Sequence, residues 1–445
     1  MNKIFFESVF QDTPVGRIPL HWNCVPLENI VEINPKPIRL SDDMTIVSFI
    51  GMADVTVSSR LSHKTDKFYG EVKKGFTSFY NNDVLVAKIT PCFENGKGAL
   101  VEGLSNGVGF GSTEFHVLRA NPLKSCSSFI HYITTTEDFR KKGEMNMTGT
   151  AGQKRVGKDF IASYLVACPP LNEQKEIAKI LSIMDKKIEL IEEKISITRD
   201  LQTGLMQRLF SKGIGTKDIN GNWKPHTKFQ DSLLGRIPQS WGQKKLNDIC
   251  TVKGGKRLPK GEALVEEDTG APYIRVTDMY MGGVALKNIK YVPNHVIERI
   301  KNYTISSKDL FISVAGTVGL IGMIPAKLDG ANLTENADKL TNIKCDKHFL
   351  YYFLTSEFIQ STIRKICTVG AQPKLALTRI QSFDFFEPSL EEQREIASIL
   401  SIVDKKINLL EQQKSEVQLL KKGMMQKLLT GEWRVTLDCD NAEAA

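Results

Sequence analysis

The chain has 445 residues, of which 41% are hydrophobic and 25% charged, with a formal net charge of +8 and a sequence pI of about 8.9. That length holds two or three ordinary domains, and that composition excludes a disordered, collagen-like or membrane-embedded chain. The mild excess of Lys and Arg modestly favours a polyanionic partner over a plain, slightly basic surface.

The N-terminus, MNKIFFESVFQD, carries Glu7 and Asp12 beside a short apolar patch and makes a poor signal peptide. From Asp12 the chain reads DTPVGRIPLHWNCVPLENI. TIVSFIG, SFYNNDVLVAKIT and EFHVLRA follow as apolar or alternating runs bounded by Gly, Asn and Pro, which suits strands. GVGFGS, at 107–112, lacks the spacing of a dinucleotide loop and reads as turns or a close approach of backbone. SFIHYITTTEDFRKK has helical periodicity, and TAGQKR is a basic, glycine-containing loop.

Pro169-Pro170 then opens a long helix. Its apolar seam steps through Ile177, Leu181, Met184, Ile188, Ile191 and Ile195, then Thr198, Gln202, Leu205 and Leu209. This is a heptad pattern sustained over about forty residues, or roughly 60 Å at 1.5 Å per residue. Residues 213–230 are polar with Gly and Pro and read as a linker.

The plan then repeats. DSLLGRIPQSWGQKKLNDI begins at Asp231, 219 residues after Asp12, so Gly16, Arg17, Ile18, Pro19 and Trp22 return as Gly235, Arg236, Ile237, Pro238 and Trp241. APYIRVTDM, DLFISVAGTVGLIGMI and KLTNIKC read as strands, and HFLYYFLTSEFIQSTIRKI as helix. Gln153 recurs as Gln372 at the same offset. The second long helix repeats the seam as Ile396, Leu400, Val403, Ile407 and Leu410, then Lys414, Val417, Lys421, Met424 and Leu428. Residues 169–210 and 388–429 share 23 of 42 positions, whereas the segments between these anchors diverge. Ser389 with Glu392 fits a capping box. The tail TLDCDNAEAA is acidic and is expected to be disordered.

The expected architecture is therefore mixed α/β. Two globular bodies stand in tandem repeat, 1–168 and 231–387. Two long helices, 169–212 and 388–431, form an antiparallel, pseudo-twofold coiled coil, with a linker at 213–230 and a tail at 432–445. Pairing of these helices with those of a partner protein is the other option.

Motifs for chemistry are missing. The sequence has no H-E-x-x-H, P-loop, G-x-S-x-G elbow or N-P-P-Y-like methyltransferase tetrapeptide. Eight cysteines run from Cys24 to Cys439 without a C-x-x-C pair, as suits inert thiols in a reducing cytosol. The seven histidines are isolated and read as structural or solvated. The apolar stretch 314–326 is too short and rich in Gly to span a bilayer, so a cytoplasmic protein is expected.

The repeated order of G-R-I-P-x-x-W, a variable body, P-x-L-x-E-Q-x-x-I-A-x-I-L-S-x-x-D-x-x-I and L-x-x-G-x-M-Q-x-L resembles the specificity subunits of type I restriction-modification enzymes over essentially the whole chain. The resemblance implies a non-catalytic subunit whose two bodies each read one half of a split double-stranded DNA target. It also implies that the coiled coil sets the spacer and docks two methyltransferase subunits. On the same ground S-adenosylmethionine, ATP and Mg2+ belong to the methyltransferase and restriction-translocase partners, and no cofactor or metal is expected in this chain. The competing readings are a coiled-coil adaptor that assembles proteins without reading DNA, and a minimal nuclease.

Phosphate contacts need Lys, Arg, Ser, Thr or backbone N–H groups, and base readout needs polar side chains on loops. In the first body the candidates are Lys88, Thr90, Lys97, Ser112, Thr113, Gln153, Lys154 and Arg155. In the second they are Lys256, Arg257, Arg275, Thr317, Lys339, Gln372 and Lys374. Because Gln153 and Gln372 recur, a shared backbone or docking role fits them better than base reading. The seam residues Ile177, Leu181, Met184, Ile188 and Ile191, with their repeats, are the candidates for coiled-coil and subunit docking.

Overall fold

The computed structural model describes residues 9–150, 152–232, 235–367 and 374–435. The chain divides into two compact units, residues 1–192 with 412–445, and residues 193–411. Two helices cross that division: α1 (Leu171–Lys212, 42 residues) and α2 (Leu390–Leu429, 40 residues). Each unit takes the first half of one long helix and the second half of the other.

In the first unit β1 (Val31–Ile33), β2 (Val84–Ala87), β3 (Gly98–Leu100) and β4 (Phe115–Ala120) form an antiparallel sheet in the order β1-β4-β2-β3. All four residues of β2 are buried, as its unbroken Val-Leu-Val-Ala run requires. A second four-stranded sheet contains Ile46–Ile50 and Val108–Gly111 as parallel neighbours. The glycines of 107–112 are there for packing. A Cβ on Gly109 would lie 2.2 Å from the Phe79 ring, and one on Gly111 2.2 Å from the Ile50 carbonyl oxygen.

The second unit repeats this topology with different side chains. Its strands β5 (Thr251–Gly254), β6 (Leu310–Ser313), β7 (Ile321–Met323) and β8 (Ala337–Thr341) are ordered β5-β8-β6-β7. Its second sheet again has one parallel pair, Pro272–Ile274 with Ala331–Leu333. Each helical stretch of the bodies is two helices, broken at Thr136 and at Ser356. Both residues are extended, with ψ of 147° and 152°, and the Thr136 hydroxyl caps the second helix by accepting the Phe139 N–H.

The start of each long helix is locked to its own body. Glu173, in the first turn of α1, is buried. It accepts the indole N–H of Trp22 at 3.1 Å and lies 2.8 Å from His21 Nε2. The next residue, Gln174, accepts the Cys126 N–H and donates to the carbonyls of Pro169 and Lys124. In the second unit Glu392 accepts Trp241 Nε1–H at 3.0 Å, the Ile214 and Gly215 N–H groups at 2.8 and 3.1 Å, and faces His226 Nε2 at 3.0 Å. Gln393 likewise accepts the Asp346 N–H and donates to Pro388. The helix N-terminal dipole adds a favourable field for both carboxylates.

The end of the other long helix closes the same knot. Gly213 and Gly431, just past α1 and α2, have φ of +66° and +73°, the left-handed cap that favours glycine. A Cβ at Gly213 would meet Glu392 Oε1 at 2.4 Å, and one at Gly431 would meet the Trp22 ring at 3.2 Å. Arg434, beyond α2, comes within 3.5 Å of Glu173. Residues 213–230 are accordingly more than a spacer. They carry a small hairpin, Thr216–Lys217 with Trp223–Lys224, and bring His226 onto Glu392.

Within each unit the two helix halves are antiparallel. In the first, Asp185 pairs with Lys421 at 2.6 Å and Glu192 with Lys414 at 2.8 Å. In the second, Arg199 pairs with Glu411 at 2.5 Å and Gln202 donates to Asp404. Of the polar interruptions of the seam, Gln202, Lys414 and Lys421 therefore have partners across the pair, while the Thr198 hydroxyl donates to the Lys194 carbonyl of its own helix. Asp185 and Asp404 also accept the hydroxyls of Tyr132 and Tyr352 at 2.9 and 2.5 Å. Burial pushes the Asp185 carboxyl up, but Lys421, Tyr132 and Arg60 outweigh it and hold it below the usual range.

Glu392→Gln removes the charge and turns an amide N–H toward backbone N–H donors. It should destabilise the second unit by about 2–4 kcal/mol. Urea unfolding with hydrogen exchange resolved by unit checks this. Unchanged protection at Trp241 and at the start of α2 would show that the knot is dispensable.

Candidate nucleic-acid interface

In the first unit, loops after β1 and β2 and before β4 meet the strand-like segment 153–156 at one end of the sheet. Main-chain bonds hold them together. Lys88 N–H donates to the Glu114 carbonyl at 2.9 Å, Val156 N–H to the Lys88 carbonyl at 2.9 Å, and Thr90 N–H to the Lys154 carbonyl at 2.9 Å. Arg155 clasps the Glu114 carboxylate with contacts of 2.8 to 3.1 Å, which holds that carboxyl below its ordinary range. Burial lowers the Lys88 ammonium, against the opposing pull of Glu114. Ser112 accepts the Glu114 N–H, the Thr90 hydroxyl donates to Glu94, and Thr113, Gln153 and Lys154 are exposed.

His116, the second residue of β4, is buried just beneath. Its Nε2 lies 3.0 Å from the Val156 carbonyl, which can only accept, so Nε2 carries the proton. Its Nδ1 then accepts from the Asn34 amide at 3.0 Å. Burial lowers its pKa and keeps the ring neutral.

The second unit builds the same end from other residues. Val314 and Ala315 N–H donate to the Asn336 carbonyl, Leu375 N–H donates to the Val314 carbonyl, and Ala315 bridges Lys374 as Ile89 bridges Arg155. Lys256 is exposed, its ammonium 5.5 Å from the Tyr303 ring centre. Arg257 reaches Glu335 at 2.6 Å, and Thr317 and Lys374 are exposed. Asp338 takes the place of His116. It is buried, one oxygen has no hydrogen-bond partner, and burial pushes its carboxyl up to about 6 against the pull of Lys374.

Not every candidate joins these ends. Lys97 donates to the Met52 carbonyl at 2.8 Å, inside its own body. Arg275 is held by Asp278 at 2.6 and 2.9 Å and by the Asn288 carbonyl, so its fork is filled. Lys339 lies on the opposite face of the sheet from Asp338, because side chains alternate along β8, and it donates to the Thr304 carbonyl. Gln372 lies outside the described residues. The seam candidates Ile177, Leu181, Ile188, Ile191, Ile396, Leu400, Val403, Ile407 and Leu410 are buried and Met184 is half-buried, so the seam itself is closed within each unit.

Sequence reasoning missed Glu173, Gln174, Glu114 and His116. The Glu-Gln pair did carry a signal, since both of its residues recur at the repeat offset, three and four residues before the first seam isoleucine and so in line with the apolar seam. Among the described residues no group of His, Cys, Asp and Glu could hold a metal ion, and no helix is long and apolar enough to cross a membrane.

Asp338→Asn yields a pH-dependent prediction. A carboxyl raised above its unfolded value favours folding when protonated and loses that contribution as pH rises through about 6. The variant should therefore stabilise the second unit by about 1–3 kcal/mol at pH 7.5, with little effect near pH 4. Thermal unfolding at both pH values decides it, and an equal effect at both would rule out the ionised carboxylate as the cause.

Comparison with known proteins places the chain. The profile described as the type I restriction modification DNA specificity domain matches residues 19–199 and again 238–419. The type I restriction enzyme EcoAI specificity subunit of Escherichia coli is 28% identical over 67% of this chain, a match spanning only 62% of that subunit. The putative type I restriction enzyme MjaX specificity subunit of Methanocaldococcus jannaschii is 25% identical over 97% of this chain and 98% of its own length. The crystal structure of a type I restriction-modification S subunit from M. genitalium shares the fold, with a TM-score of 0.54 at 17% identity over 96% of this chain and 98% of that one. With the profile matched twice, over most of its length, the chain belongs to the family of type I restriction-modification DNA specificity domains.

Proposed function

We propose that this chain is the non-catalytic specificity subunit of a type I restriction-modification complex, and that each body reads one half of a split DNA target. The observation that carries this reading is the duplicated loop end. One backbone framework displays Lys88, Lys154 and Arg155 in one body and Lys256, Arg257 and Lys374 in the other. Main-chain bonds fix the loops while the side chains differ, which is what two unlike half-sites of one target need.

The long helices supply the second part of the proposal. α1 is about 63 Å long at 1.5 Å per residue, a stiff element suited to setting a spacer. Its outer face exposes Ile183, Lys186, Lys187 and Leu190. The same four residue types recur, also exposed, as Ile402, Lys405, Lys406 and Leu409 on α2. Two equal surfaces of this kind suit two copies of a methyltransferase subunit, with a restriction-translocase subunit joining that assembly. On this reading S-adenosylmethionine, ATP and Mg2+ act on the partner subunits. A pure assembly adaptor would share the helix faces but would have no use for two basic loop ends.

Long-read mapping of methylated adenine, in cells with and without the gene, tests the reading. A split motif should disappear with the gene, and exchange of residues 231–387 should change one half of that motif only. Altered bases in both halves would contradict independent bodies. Ile183→Asp with Leu190→Asp should reduce the bound methyltransferase copies from two to one in native mass spectrometry; retention of both would exclude that face.

A further inference from the structure

We propose that the strap 34–39 of the first unit is a DNA-phosphate clamp, with Lys36 and Arg39 as its two contacts. The inference rests on the DNA-reading function proposed above and adds residues that neither motif nor repeat offset identifies.

The strap leaves β1 at the loop end of the sheet. Asn34 fixes its departure with a left-handed φ of 55°. The Asn34 N–H donates to the Val117 carbonyl at 2.7 Å, and its side-chain oxygen accepts the Val117 N–H at 3.0 Å. Its amide reaches His116, which in turn holds the Val156 carbonyl. An unbroken chain of hydrogen bonds therefore couples the start of the strap to the loop that presents Lys154 and Arg155.

Beyond Asn34 the strap is rigid. Pro35 and Pro37 bracket Lys36 and restrict the backbone. Ile38 is buried at 7% exposure, and its N–H donates to the Ser78 hydroxyl at 2.9 Å. Lys36 and Arg39 thus stand exposed on either side of a fixed plug. Among the described residues neither has an acidic partner, whereas Arg155 is neutralised by Glu114. An unpaired, preorganised cation is the form that attracts a phosphate at least entropic cost. Three residues of extended chain separate the pair by about 10 Å at most. With their long side chains, that suits phosphates a few steps apart on one strand, which rise about 3.4 Å per step.

The second unit supports the assignment independently. The strap after β5 also departs with a main-chain bond to β8, from Gly255 N–H to the Ala337 carbonyl at 3.0 Å. It too exposes cations, at Lys256 and Lys260, while Arg257 is held by Glu335 as Arg155 is held by Glu114. The two straps occupy one place in the fold with unrelated sequences, NPKPIRL and GKRLPKG, and share only exposed positive charge.

The test uses the full chain assembled with its methyltransferase subunit. Its probes are a duplex carrying the split motif found by methylation mapping and a scrambled duplex of equal length. Lys36→Ala with Arg39→Ala should weaken binding to both duplexes about tenfold and make the slope of log affinity against log salt shallower by about two. The methylated motif should stay the same. Lys36→Arg with Arg39→Lys should restore the slope, which separates charge from folding. Wild-type affinity and slope in the double-alanine variant would overturn the clamp while leaving the DNA-reading function in place. An altered motif in one half would overturn it in favour of base contacts. A wild-type assembly that does not distinguish the two duplexes would defeat the underlying reading itself.

Discussion

A buried glutamate in the first turn of each long helix is the constraint on which both units depend. Glu173 and Glu392 sit where a helix dipole, an indole N–H and an imidazole converge, and each has its own strands, its own helix and the end of the other helix around it. A carboxylate removed from water is costly unless its lone pairs are filled. Here they are filled by groups from separate stretches of chain, so the carboxylate is satisfied only when those stretches meet. The heptad seam supplies hydrophobic area; the glutamate and its glutamine neighbour set where along the seam each body attaches.

The loop ends follow the opposite logic. Their geometry is carried by backbone N–H and carbonyl groups, as at Lys88 and Val156 in one unit and Val314 and Leu375 in the other. Backbone bonds do not depend on side-chain identity, so the exposed residues can vary while the loops hold their positions. The buried residue beneath each end has itself been exchanged, His116 for Asp338, at one place in the fold. A chain can therefore carry two bodies of one architecture whose loop ends have almost no sequence in common.

Much of this was legible in the sequence, for physical reasons. A 219-residue repeat and a forty-residue heptad run are long-range periodic signals, and their meaning does not depend on tertiary detail. Several strands of both bodies were likewise visible as short apolar runs between Gly, Asn and Pro, but Val108–Gly111, whose glycines read as turns, is a buried strand paired on both sides. The loop ends were visible only in part. Lys88, Thr90, Ser112 and Arg155 are brought together, but Lys97 and Lys339 are engaged by distant carbonyls that no local pattern reveals, and Arg275 is taken by Asp278 three residues on. The role of Glu173 lay in a hydrogen bond to a residue 151 positions away, and sequence spacing cannot show which donor a buried acceptor will find.

The left-handed glycine past α2 has a consequence for the order in which the protein matures. Gly431 caps the helix end that packs against Trp22, and Leu428, Leu429 and Val435 complete the core around Trp22 and Leu181. A chain emerging from the ribosome makes residues 193–411 as one continuous stretch and can close that unit as soon as they are out. The unit that starts first must wait for the last turns of the last helix, with the apolar faces of Ile177 and Leu181 uncovered until then. Translation order and assembly order are thus inverted, and the unit that holds the N-terminal body is the last to become whole.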